Sequence, residues 1–297
     1  MVMKKKIYIV VVVYNKELSD SVTIKKIDNI NIKNIEIVVI DNSTISTSNE
    51  KIANSMGYHY LNMNGNKGLS KSYNIALNYI NNELNAKDND YILWMDDDTE
   101  ISNDYLKKIN NEFESEELHD IYAPIVVGQD GKIYSPNSFR YLKNKLIDNL
   151  NDIGKIKKYN AINSCLCVCL SVYKDYRYDE VLFLDQVDTN FFDDMRKSNK
   201  KMKTLDVVIH QNFSQRGTNL NGKKMIPRYK IRIKDIMRYG RKNIYRNFLS
   251  FIKSIMLSFQ MGIKCKSISL IIICSFIAIS MFFKNVFYLI FRFEYKF

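Results

Sequence analysis

Residues 91–101 read YILWMDDDTEI. Tyr91–Met95 is an aromatic and branched apolar run, the composition of a buried β-strand. Asp96, Asp97 and Asp98 follow with no basic residue next to them in the chain. Adjacent carboxylates repel one another and hold each other's protons more tightly. Two readings account for such a strand end. It is a solvated acidic loop in which Thr99 or Ser102 caps the next helix. Or a divalent cation, carried in with a phosphorylated ligand, supplies the missing positive charge.

Outward from this stretch, strands and helices alternate. Ile7–Val13 is a continuous apolar run, as expected of a strand buried on both faces of a parallel sheet. A weak helix or loop over 17–29 precedes a second buried strand, Ile35–Ile40, which ends in Asp41-Asn42-Ser43. Residues 50–56 read as helix and 58–62 as strand. Gly65-Asn66-Lys67-Gly68 is a turn that opens a helix over 69–84, with Leu69, Tyr73, Ala76, Leu77, Ile80 and Leu84 on one face. A helix capped by Ser102 follows the fourth strand. This order predicts an α/β fold with an open, doubly wound, mainly parallel sheet, in which ligands bind at the carboxyl ends of strands. Asn15, Asp41 and Asp96–Asp98 all stand at such ends and are expected to converge. Beyond Ile121 the pattern changes: a hairpin over 121–135, an apolar strand over 166–172, a helix over 185–198 and a short strand at 207–210.

The 297 residues suffice for one to two domains and a sizeable core. Five cysteines, an odd number without paired spacing, point to a reducing compartment. Cys165, Cys167 and Cys169 alternate with Leu166 and Val168 as core residues rather than in zinc spacing. MVMKKK runs straight into the first strand, so we expect no secretory signal. The net charge of +12 is uneven. Residues 221–297 hold 16 Lys and Arg against Asp235 and Glu294, a net +14, which leaves −2 on residues 1–220. A basic tail on a near-neutral body serves nucleic acid or an anionic membrane surface.

Five segments now bear on the question together: VVVVYN (10–15), VVIDNST (38–44), NKGLSKSYNIAL (66–77), YILWMDDDTEI (91–101) and YDEVLFLDQVDTNFFDDMR (178–196). In order and spacing they resemble family-2 glycosyltransferases of the GT-A fold, and among these the bacterial rhamnosyltransferase-like group. The resemblance covers roughly residues 6–215. It implies a nucleotide-sugar half over about 1–120 and an acceptor half over about 121–220. It implies Mg²⁺ or Mn²⁺ as cofactor, with Asp98 as metal ligand, Asp96 on the ribose or the metal shell, and Asp97 at the variable middle position. Asp41 would accept a hydrogen bond from the nucleotide base, in a pocket shaped by Tyr14 and Asn15; an Asx-turn is its alternative role. Asn66, Lys67 and Gly68 offer a tight turn, a cation and a helix N-terminus to the donor diphosphate, and Asn74 matches a recurring position on the same helix. Asp188 would be the base for the acceptor hydroxyl, with Asp185 supporting it from the same helix face. Compensation of the helix dipole is the alternative for this acidic pair. His210 would be a further metal or diphosphate ligand, and Arg216 a phosphate contact. Cys165 stands where the group has a glycine.

The implied partners are a UDP- or dTDP-linked sugar donor and a glycan or lipid-linked saccharide acceptor, without nucleic acid. The tail is basic over 228–246 and amphipathic over 243–262. Residues 267–283 then carry no charge, and Lys284 interrupts before NVFYLIF resumes. Basic residues flanking apolar segments fit an anionic bilayer, at the cytoplasmic face of the membrane. A core or homodimer helix pair is the alternative. Two rival functions are an Asp-dependent phosphotransferase, and a membrane- or nucleic-acid-binding protein with a degenerate enzyme domain.

Overall fold

The structure, a computed structural model, describes residues 5–28, 34–211, 213 and 221–294. Its first half runs β1 (Ile7–Val13), α1 (Val22–Ile27), β2 (Ile35–Asp41), α2 (Asn49–Ser55), β3 (His59–Asn62), α3 (Leu69–Glu83), β4 (Tyr91–Asp96) and α4 (Asn103–Phe113). Ser102 caps α4, its side chain accepting from Tyr105 N. The strands β3, β2, β1 and β4 are parallel neighbours in that order. Alternation along β1 and β4 feeds two cores. Tyr8, Val10, Ile92 and Trp94 pack with Tyr73, Leu77 and Ile80 of α3. Ile7, Ile9, Val11 and Leu93 pack on the opposite face with Ile24 of α1 and Tyr105, Leu106 and Ile109 of α4.

Register places the acidic residues. Val13 of β1 pairs with Asp41, and Val12 with Asp96. Both carboxylates therefore reach the same edge of the sheet, one on each side of β1. The second half adds β5 (Ile121–Gly128), β6 (Ile133–Ser138), β7 (Lys145–Ile147), β8 (Tyr159–Asn160), β9 (Leu166–Cys169), α5 (Val187–Lys197) and β10 (Met202–Gln211). Strand β9 lies antiparallel between β4 and β5, and β10 runs parallel to β5. The sheet is thus parallel where the acidic strand ends lie and antiparallel beyond.

Four elements differ from the sequence reading. Helix α5 starts at Val187 rather than Asp185, because Gln186 takes a left-handed φ of 65° that no helix can include. Strand β10 is ten residues long, its apolar positions diluted by a register break between Thr204 and Val208. Strand β9 stops at Cys169, and Leu170–Tyr173 forms a 3₁₀ turn. The C-terminal helices begin at Gly222, ahead of Pro227.

Those helices are α6 (Gly222–Gly240), α7 (Ile244–Lys264) and α8 (Ile268–Glu294). They share a cluster of Tyr229, Ile233, Met261, Cys265, Leu270, Cys274 and Ala278. They are also tied to the sheet domain. Tyr239 is part of the α3-side core, and its hydroxyl donates to Asp193 of α5. Tyr141 shares a hydrogen bond with Ser250 at 2.8 Å.

One glycine fixes how the halves meet. Gly68 has φ 90°, and a Cβ there would lie 2.7 Å from both the ring and the carbonyl oxygen of Phe183. Leu69 N donates to that same carbonyl at 2.6 Å. Gly68→Ala combines a positive φ with a backbone collision, and is expected to destabilise the fold by about 1–3 kcal/mol. Thermal or urea unfolding reads this directly. A melting temperature equal to wild type would show that the two segments separate freely.

Candidate active site

The carboxyl edge of the sheet brings Asp96 and Asp98 together at the end of β4. Asp96 is half-buried and Asp98 exposed. Burial, followed by the charge of Asp98, pushes the Asp96 carboxyl up to about 7. Burial and Asp97 raise Asp98 as well. Asp97 behaves differently. It turns away from its neighbours onto Lys16, at 3.0 Å, and its carbonyl accepts from Ser21 Oγ at 2.8 Å. A basic residue does meet the acidic run, but it comes from the end of β1 and neutralises only the middle carboxylate. Asp97 therefore anchors the corner instead of facing a ligand.

Asp188 opens α5 across from this pair. One of its oxygens accepts from Thr189 N at 2.7 Å. Burial, opposed by that bond and reinforced by the charge of Asp185, raises it to about 6. The charge of Asp188 also reaches Asp96 and the buried Tyr73, which sets Asp188 on the same side of the sheet as Asp96. Asp185 does not share a helix face with Asp188, since it precedes the helix. Its carboxylate is gripped by Arg228, with Nη2 at 2.9 Å from Oδ1, and Arg232 Nε lies 3.7 Å away. Lys253 of α7 completes the set. It donates to Tyr141 O at 3.0 Å. Burial and Arg232 lower it to about 8 against the opposing pull of Asp188 and Asp185.

The base-pocket residues are an internal scaffold. Asp41 is buried and forms the Asx-turn, its alternative to a base contact, accepting from Ser43 N at 2.9 Å. Its other oxygen accepts from Thr47 Oγ1 at 3.1 Å, Asn49 Nδ2 at 2.8 Å and Tyr60 OH at 2.9 Å. Burial pushes its pKa up, but these bonds outweigh that and hold it below the ordinary value. Asn15, at φ 50°, ties β1 to the next loop by accepting from Thr44 N at 2.8 Å. Tyr14 projects from the same turn, half-exposed. Asn66 accepts from Asn42 Nδ2 at 3.1 Å and Gly68 N at 3.2 Å, which leaves the Lys67 side chain exposed.

Three residues expected at the donor or metal have scaffold roles or exposed positions in the fold. Asn74 is buried and spends its amide on Tyr178 O at 2.9 Å, Tyr178 N at 2.9 Å and Glu180 at 3.1 Å, so it holds a loop. Gly68 is glycine because of Phe183. His210 is exposed on β10, and alternation gives the inward place to its neighbour. Gln211 Nε2 donates to Asp96 Oδ2 at 3.3 Å, while its Oε1 is buried without a partner. The amide of Asn163 is buried beside Tyr73. Arg216 lies outside the described residues. Sequence reasoning missed Gln211, Lys16, Arg228, Arg232, Asp235 and Lys253. Gln211 was findable by alternation from His210. The α6 residues were findable only as a 228, 232, 235 stripe without a known target.

Among the described residues, no three His, Cys, Asp or Glu side chains gather around one point. Asp96 and Asp98 are a two-carboxylate set, the kind to which phosphate and water add the remaining oxygens. Residues 8–182 match the family described as Glycosyl transferase family 2. The chain belongs to that family. A dTDP-rhamnosyl transferase, RfbF of Shigella flexneri, is 29% identical over 193 residues, covering 64% of this chain and 62% of the relative, so less than two thirds of that relative is spanned. The fold is that of GT-A enzymes. TarS of S. aureus, in complex with UDP-GlcNAc, superposes with TM-score 0.51 at 14% identity, over 95% of this chain and 81% of TarS. The mannosyltransferase PcManGT of Pyrobaculum calidifontis, with GDP-Man and Mn²⁺, gives 0.52 at 10% identity, over 96% and 88%. Glucosyl-3-phosphoglycerate synthase of Mycobacterium tuberculosis, with Mn²⁺ and UDP, gives 0.52 at 11%, over 79% and 80%. Asp185 and Asp188 fall just past the family match.

The raised carboxyls give a test that needs no substrate. A carbon-detected NMR titration is expected to place Asp188 near 6 and Asp96 near 7. Adding Mg²⁺ with a nucleoside diphosphate puts positive charge beside Asp96 and should lower its midpoint by at least about one unit. An unmoved Asp96 would mean that no cation binds there.

Proposed function

We propose that the chain is an inverting, metal-dependent glycosyltransferase that moves a sugar from a nucleotide-linked donor to a glycan or lipid-linked acceptor. The observation carrying this reading is the pair Asp96 and Asp98, whose protons are held by burial and by neighbouring carboxylates, with the charge of Asp188 reaching Asp96. The residues fit the implied Mg²⁺ or Mn²⁺. Asp98 and Asp96 would hold it, and the orphaned Gln211 Oε1 marks room for a further polar ligand. A bound divalent ion would stabilise the charge that develops on the departing diphosphate. Tyr14, Asn15 and Asp41 frame the base pocket. Exposed Lys67 reaches toward the diphosphate. The rhamnosyl transferase relative supports a dTDP-linked deoxyhexose as donor, with UDP-linked sugars as the alternative.

Asp188 serves as base. A carboxylate titrating near 6 is a stronger proton acceptor than an ordinary one, yet is ionised at neutral pH. It takes the proton of the acceptor hydroxyl as that oxygen attacks the anomeric carbon, opposite the leaving diphosphate. Asp185 cannot do this while Arg228 occupies both its oxygens. Paired with Arg228, it holds the loop.

The acceptor is met at the cytoplasmic face of a membrane. Helix α8 offers 24 residues, Ile268–Phe291, of mean hydropathy 2.2 with only 22% buried. Exposed Ile268, Ile272, Phe276, Ile279, Phe283 and Phe287 form one stripe on it, beside exposed Tyr245, Phe248, Met256, Phe259 and Ile263 of α7. Exposed Lys223, Lys224, Lys230 and Lys234 of α6 supply the charge that anionic headgroups attract.

Asp98→Asn is expected to abolish transfer in a metal-supplemented assay with dTDP-rhamnose or UDP-sugars. Near-normal activity, or activity indifferent to chelator, would overturn the metal role. Asp188→Asn should lose ~10²-fold or more in kcat while still binding donor nucleotide. Because the base acts deprotonated and its pKa is raised, wild-type kcat should fall as pH drops through about 6, not 4. In flotation assays, the full chain should bind phosphatidylglycerol vesicles and be only partly released by high salt, which screens charge but not apolar contact. Absence from the vesicle fraction at any salt would leave the apolar faces to a second copy of the chain.

A further inference from the structure

Arg228, Arg232 and Asp235 stand at i, i+4 and i+7 of α6, which is one stripe of a helix. All three meet the loop 183–185. The arginines take the side chain of Asp185. Asp235 takes the backbone. Its carboxylate, fully buried at 0% exposure, accepts from Phe183 N at 3.1 Å, Leu184 N at 2.8 Å and Asp185 N at 2.9 Å. Arg238, one turn on, adds a fourth donor at 3.1 Å. Three consecutive N–H groups converging on one anion fix the dihedrals of the segment that carries them. Burying a carboxylate is costly unless it is so satisfied, and bonds to a charged acceptor are stronger than neutral ones.

What the clamp holds is the approach to the reacting centre. The carbonyl of Phe183 is bonded to Leu69 N, beside the donor-side turn. After Asp185 comes Gln186, left-handed without being glycine, a conformation that persists only where its surroundings impose it. Asp188 follows at the first turn of α5.

We propose that Asp235 is a positioning residue for transfer: through the backbone of residues 183–185 it sets the direction in which α5 presents Asp188 to the carboxylates of β4. This rests on the reading of Asp188 as base. It makes α6 part of the active site, and not merely the start of a membrane anchor.

The test is steady-state kinetics of the full chain carrying Asp235→Asn, which keeps the size and one acceptor oxygen but offers an amine to the loop N–H groups. We expect kcat to fall about 10²-fold, the scale of a displacement near 1 Å. Donor KM should stay within about threefold, because the donor residues, at the ends of β1, β2 and β4 and at Lys67, lie outside the segment 183–185. Arg228→Gln loosens the same loop, so the double variant should lose less than the product of the single losses. A general weakening of the fold would move kcat, donor KM and melting temperature together; that pattern overturns the proposal, as does wild-type kcat in folded Asp235→Asn. Should the Asn variant not fold, Asp235→Glu and Arg228→Gln carry the same readout: lost kcat at constant donor KM supports it, and unchanged kcat overturns it. Asp188→Asn is run alongside. If it is inactive while Asp235→Asn turns over normally, the positioning role falls and the base reading stands. If Asp188→Asn is fully active, the base reading falls, and the positioning role with it.

Discussion

Asp96 and Asp98 end β4 two residues apart, the charge of Asp188 reaches Asp96, and none of the three forms an ion pair with a cation of the described residues. The chain is not short of cations to spend. It gives both Arg196 and Arg246 to Asp193, one turn further along α5, and Lys16 to Asp97. Burial and neighbouring charge raise the Asp96 carboxyl to about 7 and that of Asp188 to about 6, a cost carried at one strand end by a fold stable by only about 5–15 kcal/mol. Helix α5, and not the register of the parallel strands, brings Asp188 to this end. Everything else near the edge either screens the charge, as Gln211 does, or holds a carboxylate in place.

The segment 183–188 shows how the chain separates two acids three residues apart. Asp185 is met by guanidinium groups, so it is neutralised and spent on structure. Asp188 is met by its own helix start and by burial, so it retains a proton-accepting oxygen. The partition is made by residues more than 40 positions later, on α6. A helix that interacts by charge on one face and by apolar contact on another thereby links the catalytic loop to the C-terminal bundle.

Most of the parallel half is legible in sequence, because β1 and β4 are unbroken apolar runs and their polar ends stand out against them. That Asp41 and Asp96 end at one edge of the sheet follows from that alone. The one-residue offset of Val13–Asp41 against Val12–Asp96 then turns their side chains to opposite faces, so the expected convergence is one of the edge and not of the carboxylates. What is not legible depends on partners distant in the chain. Asp97 looks unneutralised until β1 brings Lys16 beside it. Asn74 looks like a surface amide until residues 178–180 fold over α3. Asp185 looks helical because its acidic spacing fits a first turn, while Gln186 at positive φ carries no signal in its side chain. His210 draws notice as a rare residue, yet strand alternation gives the site to Gln211. Local pattern identifies elements and their ends; which side chain at an end is spent on scaffold is a tertiary fact.

The C-terminal helices invert the usual distribution of residues. The buried residues of α7 are Asn247, Ser250, Ser254, Ser258, Met261 and Gly262, and those of α8 are Leu270, Cys274, Ala278 and Asn285. Met261 and Leu270 join the shared cluster, while many of the large apolar residues point outward. Glycines allow close approach between the helices, Gly222 to Ser267, Gly240 to Ser250 and Gly262 to Ile271. Asn285 donates across the bundle to Met237 O at 2.9 Å and Asn247 Oδ1 at 2.8 Å. In water the hydrophobic effect would drive the opposite arrangement, with large residues inside. Where the surrounding medium is itself apolar, helices associate by close backbone packing and interhelical hydrogen bonds, and small residues lie between them. A soluble dimer would need only one patch of large residues; here the outward stripe runs nearly the whole of α8, about 36 Å at 1.5 Å per residue. Yet α6, packed along the same helix, exposes lysines at regular intervals, and these cannot enter hydrocarbon. The two demands are met together if the bundle lies along a bilayer surface, α7 and α8 turned toward the acyl chains and α6 toward the headgroups. In that orientation α6, which grips the loop before Asp188, is the element between the lipid and the reacting centre.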